Sequence, residues 1–158
     1  MDEVIDKEFI LIFTINKLKL GISLRITHKV IHAIEITPLP GAPTIVDGLI
    51  NIAGNAIPVI NIRKRLNLKS KSIIPSDKII VVKTDDISFA FIADEVIGLK
   101  EVDISNIKKS SDLLPETNEI IEGIVVINNE IVLIHNVNKF LTFLEKNKLK
   151  KALKKNSN

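Results

Sequence analysis

Short apolar runs alternate with brief polar turns along most of the chain, and Ile is the dominant apolar residue in these runs. Side chains branched at Cβ favour pleated, half-buried surfaces. Several pairs of runs are joined by Asn or Asp, which enter the left-handed backbone region readily, as at Asn16-Lys17, Asp85-Asp86 and Asn128-Asn129. Turn signals at this close spacing are typical of an all-β sandwich or barrel. The predicted strands are Phe9–Ile15, Leu18–Leu24, His28–Ile36, Asp47–Ala53, Ala56–Ile62, Lys78–Thr84, Ile87–Ala93, Val96–Val102, Glu122–Asn128 and Glu130–His135.

The segment Pro38–Arg63 contains a proline-rich entry followed by two apolar runs. Its prolines fix φ and keep the residues before them extended. The runs Gly48–Ala53 and Ala56–Ile62 flank Gly54-Asn55. Both turn residues tolerate positive φ, so we expect a hairpin with Gly54-Asn55 as its two-residue turn.

Two polar breaks divide the predicted strands. Residues 67–77 contain Pro75 and separate five strands from five, and residues 105–117 contain Pro115. This division predicts two small five-stranded barrels, the first mainly within 18–66 and the second mainly within 78–136, with the termini packing across them. A closed barrel removes its own sheet edges, but one this small has little core of its own. We therefore expect the two barrels to share an apolar seam.

The C-terminal segment is predicted to be the one clear helix. Asn136 is a suitable N-cap, and apolar residues then recur at steps of three and four. They are Val137, Phe140, Leu141 and Leu144, continued by Leu149 and Leu153. One interpretation is a helix docked on the barrels with a solvated lysine end. The other is a membrane-surface anchor, since basic amphipathic helices favour anionic lipid. The body of the domain is expected over 8–144, and 145–158 as a basic helix end whose lysine tail after Leu153 is disordered.

Composition limits the classes of function that remain. The 158 residues are 46% hydrophobic but only 4% aromatic, so the core must be aliphatic, and there is no cysteine to form a disulfide or a thiolate metal site. The net charge of +3 is misleading, because residues 145–158 hold six lysines and one glutamate, leaving 16 basic and 18 acidic residues in the rest. A nucleic-acid binder usually carries cations on a folded face beside aromatic residues. This balance therefore disfavours nucleic acid as a partner.

The start of the chain and its hydropathy favour a cytoplasmic protein. The N-terminus is acidic and lacks the basic start and apolar run of a secretory signal. No apolar stretch approaches the roughly 20 residues that span a bilayer. We expect no direct membrane insertion.

Candidate chemistry is sparse. His28 and His32 are four residues apart in a predicted strand, where that spacing lacks helical metal-site geometry, and His135 is a distant third possibility. Asp94-Glu95 and Asp85-Asp86 are adjacent at strand ends, so their side chains point to opposite faces and are interpreted as solvated turns. The motifs therefore predict no catalytic residue, no cofactor and no metal ligand. An enzyme that uses His28 and His32 with a metal is kept as a minor alternative.

Four segments carry a resemblance to a known family. They are the Pro38–Arg63 segment, Gly21-Ile22 after the first hairpin, Phe89–Gly98 (FAFIADEVIG) and Gly123–Leu141 (GIVVINNEIVLIHNVNKFL). In order and spacing they resemble the CheW family, the couplers of chemotaxis arrays, over roughly residues 8 to 144. The resemblance implies two SH3-like five-stranded barrels packed together. It also implies a non-catalytic adaptor between chemoreceptors and the chemotaxis histidine kinase CheA.

The partners implied by this resemblance are the regulatory domain of CheA and the cytoplasmic tip of a methyl-accepting chemoreceptor. The positions implied for partner binding are Thr27, Lys29, Val30, Asn51, Ala53, Gly54 and Asn55. A basic-tailed β-barrel that binds nucleic acid or a membrane surface is the alternative function.

Three of this chain's residues depart from the family pattern. Ala53 stands where the family typically has Arg, and Lys29 stands where it often has Glu. Asn61 replaces the usual Asp, which removes a charge but keeps an acceptor. Because Ala53 cannot make the forked contacts of an arginine, a partner contact there is expected to be apolar.

Overall fold

The computed structural model describes residues 6–109 and 120–156, which form eleven strands, two α-helices and three 3-10 turns. The helices are α1 (Ile62–Arg65) and α2 (Phe143–Asn156), and the 3-10 turns are Leu24–Ile26, Ile104–Asn106 and Val137–Lys139. The strands are β1 (Lys7–Ile15), β2 (Leu18–Ser23), β3 (Thr27–His32), β4 (Val46–Ile52), β5 (Asn55–Ile60), β6 (Lys78–Lys83), β7 (Ser88–Ala93), β8 (Glu95–Asp103), β9 (Lys108–Lys109), β10 (Ile121–Ile127) and β11 (Glu130–His135).

All ten predicted strands are present, and the expected all-β body with a C-terminal helix is confirmed. The short β9 is the additional strand. The third strand is shorter than predicted, because β3 ends at His32. Six strands form one sheet in the order β8-β1-β2-β11-β10-β9, and five form the other in the order β3-β6-β7-β5-β4.

The division of strands between the sheets differs from the expected one. Strands β6 and β7 were expected in the second barrel but join β3, β4 and β5, while β1 and β2 join β8 to β11. Two parallel contacts produce this exchange, Val59 of β5 opposite Ala90 of β7 and Leu20 of β2 opposite Leu133 of β11. Residues 67–77 are therefore a loop within one sheet, and the polar composition that marks the loop does not mark a sheet boundary.

The expected seam between the two sheets is confirmed. The largest cluster of buried residues combines side chains of both sheets with side chains of the C-terminal segment. Phe91 of the five-stranded sheet lies at its centre, with its ring 5.4 Å from Phe13 of the six-stranded sheet and 5.5 Å from Phe140. Each sheet also encloses a smaller aliphatic cluster, as expected for a small barrel. The aliphatic barrels are thus joined through most of the aromatic residues that the chain has.

The C-terminal segment is divided where one helix was predicted. Asn136 caps the 3-10 turn Val137–Lys139, and α2 begins only at Phe143. Thr142 and Glu145 form a capping box, in which the Glu145 N–H donates to Thr142 Oγ1 (3.1 Å) and the Thr142 N–H donates to Glu145 Oε1 (2.8 Å). Such a box starts a helix. This second start signal was missed in the sequence.

Helix α2 is docked on the body of the molecule. Leu149 and Ala152 are buried in the seam, and Leu153 packs against it. Of the two interpretations of this segment, a helix docked on the barrels is therefore the one that the structure supports. It continues to Asn156, past the point where disorder was expected, and the last two residues lie outside the described part of the chain. Among the described residues no helix has the length and hydropathy needed to cross a membrane.

Candidate protein-docking surfaces

The tip of the β4–β5 hairpin is formed by Ala53 and Gly54, not by Gly54 and Asn55. These two residues have φ of 51° and 87°, and Ile52 pairs directly with Asn55. Positive φ at both central positions is the pattern of a type I′ hairpin turn. The predicted turn is therefore wrong by one residue. The left-handed backbone conformation is adopted here by Ala53, whose side chain offers no hydrogen-bonding group to favour it.

Asn51 supplies the contact that holds this tip. Its Oδ1 accepts a hydrogen bond of 2.9 Å from the Gly54 N–H. Asn51, Ala53, Gly54 and Asn55 are all exposed. The four predicted residues of this region therefore form one continuous surface, at which Ala53 offers a methyl group and Asn55 offers an amide.

The predicted residues of β3 have different roles. Thr27 is half-buried, and its hydroxyl donates a hydrogen bond of 2.9 Å to the Ser23 carbonyl, closing the 3-10 turn that precedes the strand. Lys29 and Val30 are exposed neighbours, so they point to opposite faces. Lys29 pairs with Val81 and Val30 with Ile80. Thr27 therefore serves local structure, whereas Lys29 and Val30 are exposed on opposite faces of the edge strand β3.

The two groups of predicted residues do not form a single patch along the sheet. Strand β3 lies at one edge of the five-stranded sheet and β4 lies at the other, with β6, β7 and β5 between them. The exposed predicted residues are therefore divided between the β3 edge and the hairpin tip.

Asn61 has a structural role that explains its departure from the family pattern. Its Oδ1 accepts a hydrogen bond of 3.0 Å from the Lys64 N–H, which caps α1. Its amide nitrogen donates to Asp47 Oδ1 at 3.2 Å. An aspartate at this position would keep the cap but would face the Asp47 carboxylate, and like charges in contact repel. The asparagine thus avoids charge repulsion with Asp47 and donates a hydrogen bond to it.

Arg63 makes a structural contact between the two sheets that was not predicted from the sequence. It is buried at 8% exposure, and its two terminal nitrogens donate to Asn16 Oδ1 (2.6 Å) and Asp94 Oδ1 (2.7 Å). The Asn16 N–H also donates to Asp94 Oδ2 at 2.8 Å. Arg63 follows the five-stranded sheet and Asn16 lies in the β1–β2 turn of the other, so the contact ties the sheets together. The interpretation of Asp94 as a solvated turn residue is wrong.

Arg65 makes a second link, from α1 to α2. Its Nη2 donates to Glu145 Oε1 and Oε2 at 2.5 and 2.6 Å. Partial burial alone would raise the pKa of the Glu145 carboxyl, but the hydrogen bonds from Arg65 and from the Thr142 N–H lower this pKa overall. Glu145 therefore stays charged while it caps α2 and holds α1.

The histidines do not come together. His28 and His32 lie on β3 at the edge of one sheet, and His135 ends β11 in the other. His135 is buried, its Nδ1 is 2.9 Å from the Leu133 carbonyl oxygen, and its ring packs edge-on against Phe140. Within 6–109 and 120–156, no three histidine, aspartate or glutamate residues are grouped as metal ligands would be.

Comparison with known proteins identifies the family. Residues 10–145 match the CheW-like domain. The chain belongs to the CheW family. The chemotaxis protein CheW of Thermotoga maritima is 33% identical over 131 residues, covering 73% of this chain and 83% of that protein. CheW of Bacillus subtilis is 30% identical over 140 residues, covering 88% and 90%.

A solved structure shares the fold of this CheW-family chain. The scaffolding protein TtCheW from Thermoanaerobacter tengcongensis superposes with a TM-score of 0.78 at 22% identity, over 89% of this chain and 96% of that chain. This likeness, with the two small sheet cores, is consistent with two SH3-like barrels. Family membership gives the chain an adaptor role in chemotaxis. The matches indicate no catalytic activity, and they do not support a nucleic-acid or membrane-surface module.

Proposed function

We propose that this chain couples the regulatory domain of a CheA kinase to the cytoplasmic tip of a chemoreceptor, as a non-enzymatic cytoplasmic component of membrane-associated receptor arrays. The β3 edge at Lys29 and Val30 is one docking surface, and the hairpin tip Asn51–Asn55 is the other. The observation that supports the proposal most directly is that two exposed groups of residues lie on different strands of one sheet, one on β3 and one on the β4–β5 hairpin. Such a sheet can carry two partners without performing chemistry.

Charge and shape support different contacts at the two surfaces. Lys29 brings a cation to the β3 edge, where the family often has an acid, so it favours an acidic group on the partner. The tip presents the Ala53 methyl and the Gly54 backbone, which allow close approach by an apolar partner side chain. Modest, reversible contacts of this kind are typical of signalling complexes.

The test is a binding measurement with the two candidate partners from the same organism. Titration calorimetry of the intact chain with the CheA regulatory domain and with a receptor-tip fragment should give saturable binding to both. Ala53→Arg adds a long charged side chain at the tip, and we expect the Kd of at least one partner to change by about tenfold, or about 1.4 kcal/mol. Lys29→Glu should weaken binding at the β3 edge.

Matched controls separate these surfaces from the rest of the molecule. Asn129→Arg makes the equivalent change at the β10–β11 turn, where the residue also has positive φ. Lys17→Glu reverses a charge at the β1–β2 turn. Both control variants should keep the original affinities. If neither partner binds the unchanged chain, the proposed coupling is wrong; if both bind and Ala53→Arg changes nothing, the tip is not a docking surface.

A further inference from the structure

A basic cleft lies between α1 and the start of α2, away from the β3 edge and the hairpin tip. It has a volume of about 740 Å³, and Leu141 and Ile120, both buried, contribute to its floor. Among the described residues that line it, four carry a positive charge and one is a carboxylate. The charged lining residues are Lys64, Arg65, Lys139, Lys146 and Asp86. The cleft therefore combines an apolar floor with walls of net positive charge.

Two large apolar side chains stand unusually exposed beside this cleft. Phe143 lines it and is 76% exposed, and Leu144 next to it is 78% exposed. Both belong to the first turn of α2, whose register is set by the capping box at Thr142 and Glu145. Exposed apolar side chains next to an apolar-floored cleft are typical of a protein contact.

The rest of α2 extends the positive charge along the surface. The helix carries six lysines and one glutamate, and that glutamate is paired with Arg65. The body of the chain is slightly acidic by comparison. This separation of charge creates a field that attracts an anionic partner and increases its rate of association.

We propose that this cleft binds an acidic segment of a partner protein in which carboxylates flank an apolar side chain. The carboxylates pair with the cations of the walls, and the apolar side chain packs against Phe143 and the floor at Leu141. The surface is separate from the two proposed for CheA and the chemoreceptor, so either proposal can fail alone.

Other anionic partners fit the observations less well. A lipid surface requires the apolar side of the helix to be available, but Leu149 and Ala152 are buried in the seam. A nucleic acid requires stacking platforms and favours arginine. The cations of α2 are all lysines, and among the described lining residues of the cleft Phe143 is the one aromatic side chain. An acidic polypeptide uses both the lysines and the exposed apolar pair.

A substitution at Asp86 is expected to tighten binding of the acidic segment. The Asp86 Oδ2 accepts a hydrogen bond of 3.2 Å from Lys146 Nζ. Asp86 therefore competes with an incoming carboxylate for Lys146 and also repels that carboxylate. Asp86→Asn removes both effects. We expect it to tighten binding by about two- to fivefold, the range that corresponds to one exposed ion pair. A misfolded variant does not gain affinity.

The measurement is fluorescence anisotropy with the intact chain and a short labelled peptide of repeated Glu-Glu-Phe. A Gln-Gln-Phe peptide tests charge, and a Glu-Glu-Ser peptide tests the apolar contact. The Glu-Glu-Phe peptide should bind more tightly than both. Lys146→Gln should weaken it, and Phe143→Ser should remove its advantage over Glu-Glu-Ser.

Neighbouring residues supply matched controls. Asp85→Asn makes the same change at the same turn outside the cleft, and Lys148→Gln makes the same change on α2. Each should change the affinity for the Glu-Glu-Phe peptide less than its counterpart in the cleft does. Equal binding of the Gln-Gln-Phe peptide, no gain with Asp86→Asn, or binding of anionic vesicles or single-stranded DNA with no binding of the acidic peptide would overturn the proposal.

Discussion

The seam between the sheets is stabilised by contacts between residues far apart in sequence, whereas the tip of the β4–β5 hairpin is stabilised by a local contact. The seam is maintained by long-range contacts: Phe13, Phe91 and Phe140 pack together, and Arg63 joins groups that are 47 and 31 residues away in sequence. The tip is maintained by one local hydrogen bond from Gly54 to Asn51, with Ala53 in the left-handed region. A scaffold thus keeps its stability in one region and its exposed surface in another.

The largest effect is expected from Phe91→Ala in the seam. The side chain is fully buried between two other rings, so its loss removes apolar burial and leaves a cavity. We expect the free energy of unfolding to fall by about 3–5 kcal/mol, measured by urea denaturation. Phe143→Ala is the matched control, because Phe143 is exposed, and its effect should stay within about 0.5 kcal/mol. A small effect at Phe91 would mean that the sheets do not depend on each other.

Removing the charged contact across the seam should have the next largest effect. Arg63→Met removes the short ion pair of the partly buried Asp94 and leaves its carboxylate with the Asn16 N–H and with Lys71 Nζ at 4.0 Å. We expect a loss of about 2–3 kcal/mol of unfolding free energy. Asp94→Asn should cost less, because the asparagine keeps an Oδ1 that can accept a hydrogen bond from Arg63. In a double-mutant cycle the two changes should be non-additive. Strict additivity would show that the pair does not couple the sheets.

These two regions also differ in how far they could be predicted. Local alternation and turn residues predicted all ten main strands, since both signals depend on neighbouring positions. The division into sheets could not be predicted, because parallel pairs such as Val59 with Ala90 leave no periodic signal in the intervening sequence. The Arg63–Asp94 contact was missed for the same reason, although a charged residue placed directly after an apolar run was a weak indication of it.

The hairpin tip shows the limit of turn chemistry. Gly54-Asn55 satisfies the residue preferences of the turn better than Ala53-Gly54 does. The observed register instead lets Asn51 accept from the Gly54 N–H and leaves Ile50 and Val59 in the small core of the sheet. Burial of Ile50 and Val59 thus outweighs the preference of an alanine for negative φ. The predicted docking residues of the tip remain together, because a shift by one residue keeps them all on the tip.

The third prediction compares a buried histidine with an exposed one. Burial lowers the pKa of His135, and its hydrogen bond with the Leu133 carbonyl offsets this only in part. The unfolded chain therefore binds more protons near and below pH 6.5, and stability should fall as the pH falls below about 6.5. His135→Gln should reduce this slope in urea denaturation at several pH values. His28→Gln, on the exposed edge of β3, should leave it in place; an unchanged slope in His135→Gln would contradict the assignment.

The smallest expected effect belongs to the tip. Ala53 has φ of 51°, a conformation that costs an alanine about 1 kcal/mol and a glycine almost nothing. Ala53→Gly should therefore raise the free energy of unfolding by about 0.5–1 kcal/mol, even though glycine substitutions usually destabilise. Ala56→Gly, three residues away on extended β5, should have the opposite sign, because there the added freedom of the unfolded chain is the main effect. The two variants make the same change at exposed residues of different backbone conformation, so destabilisation by both would show that the left-handed geometry at Ala53 is not a source of strain.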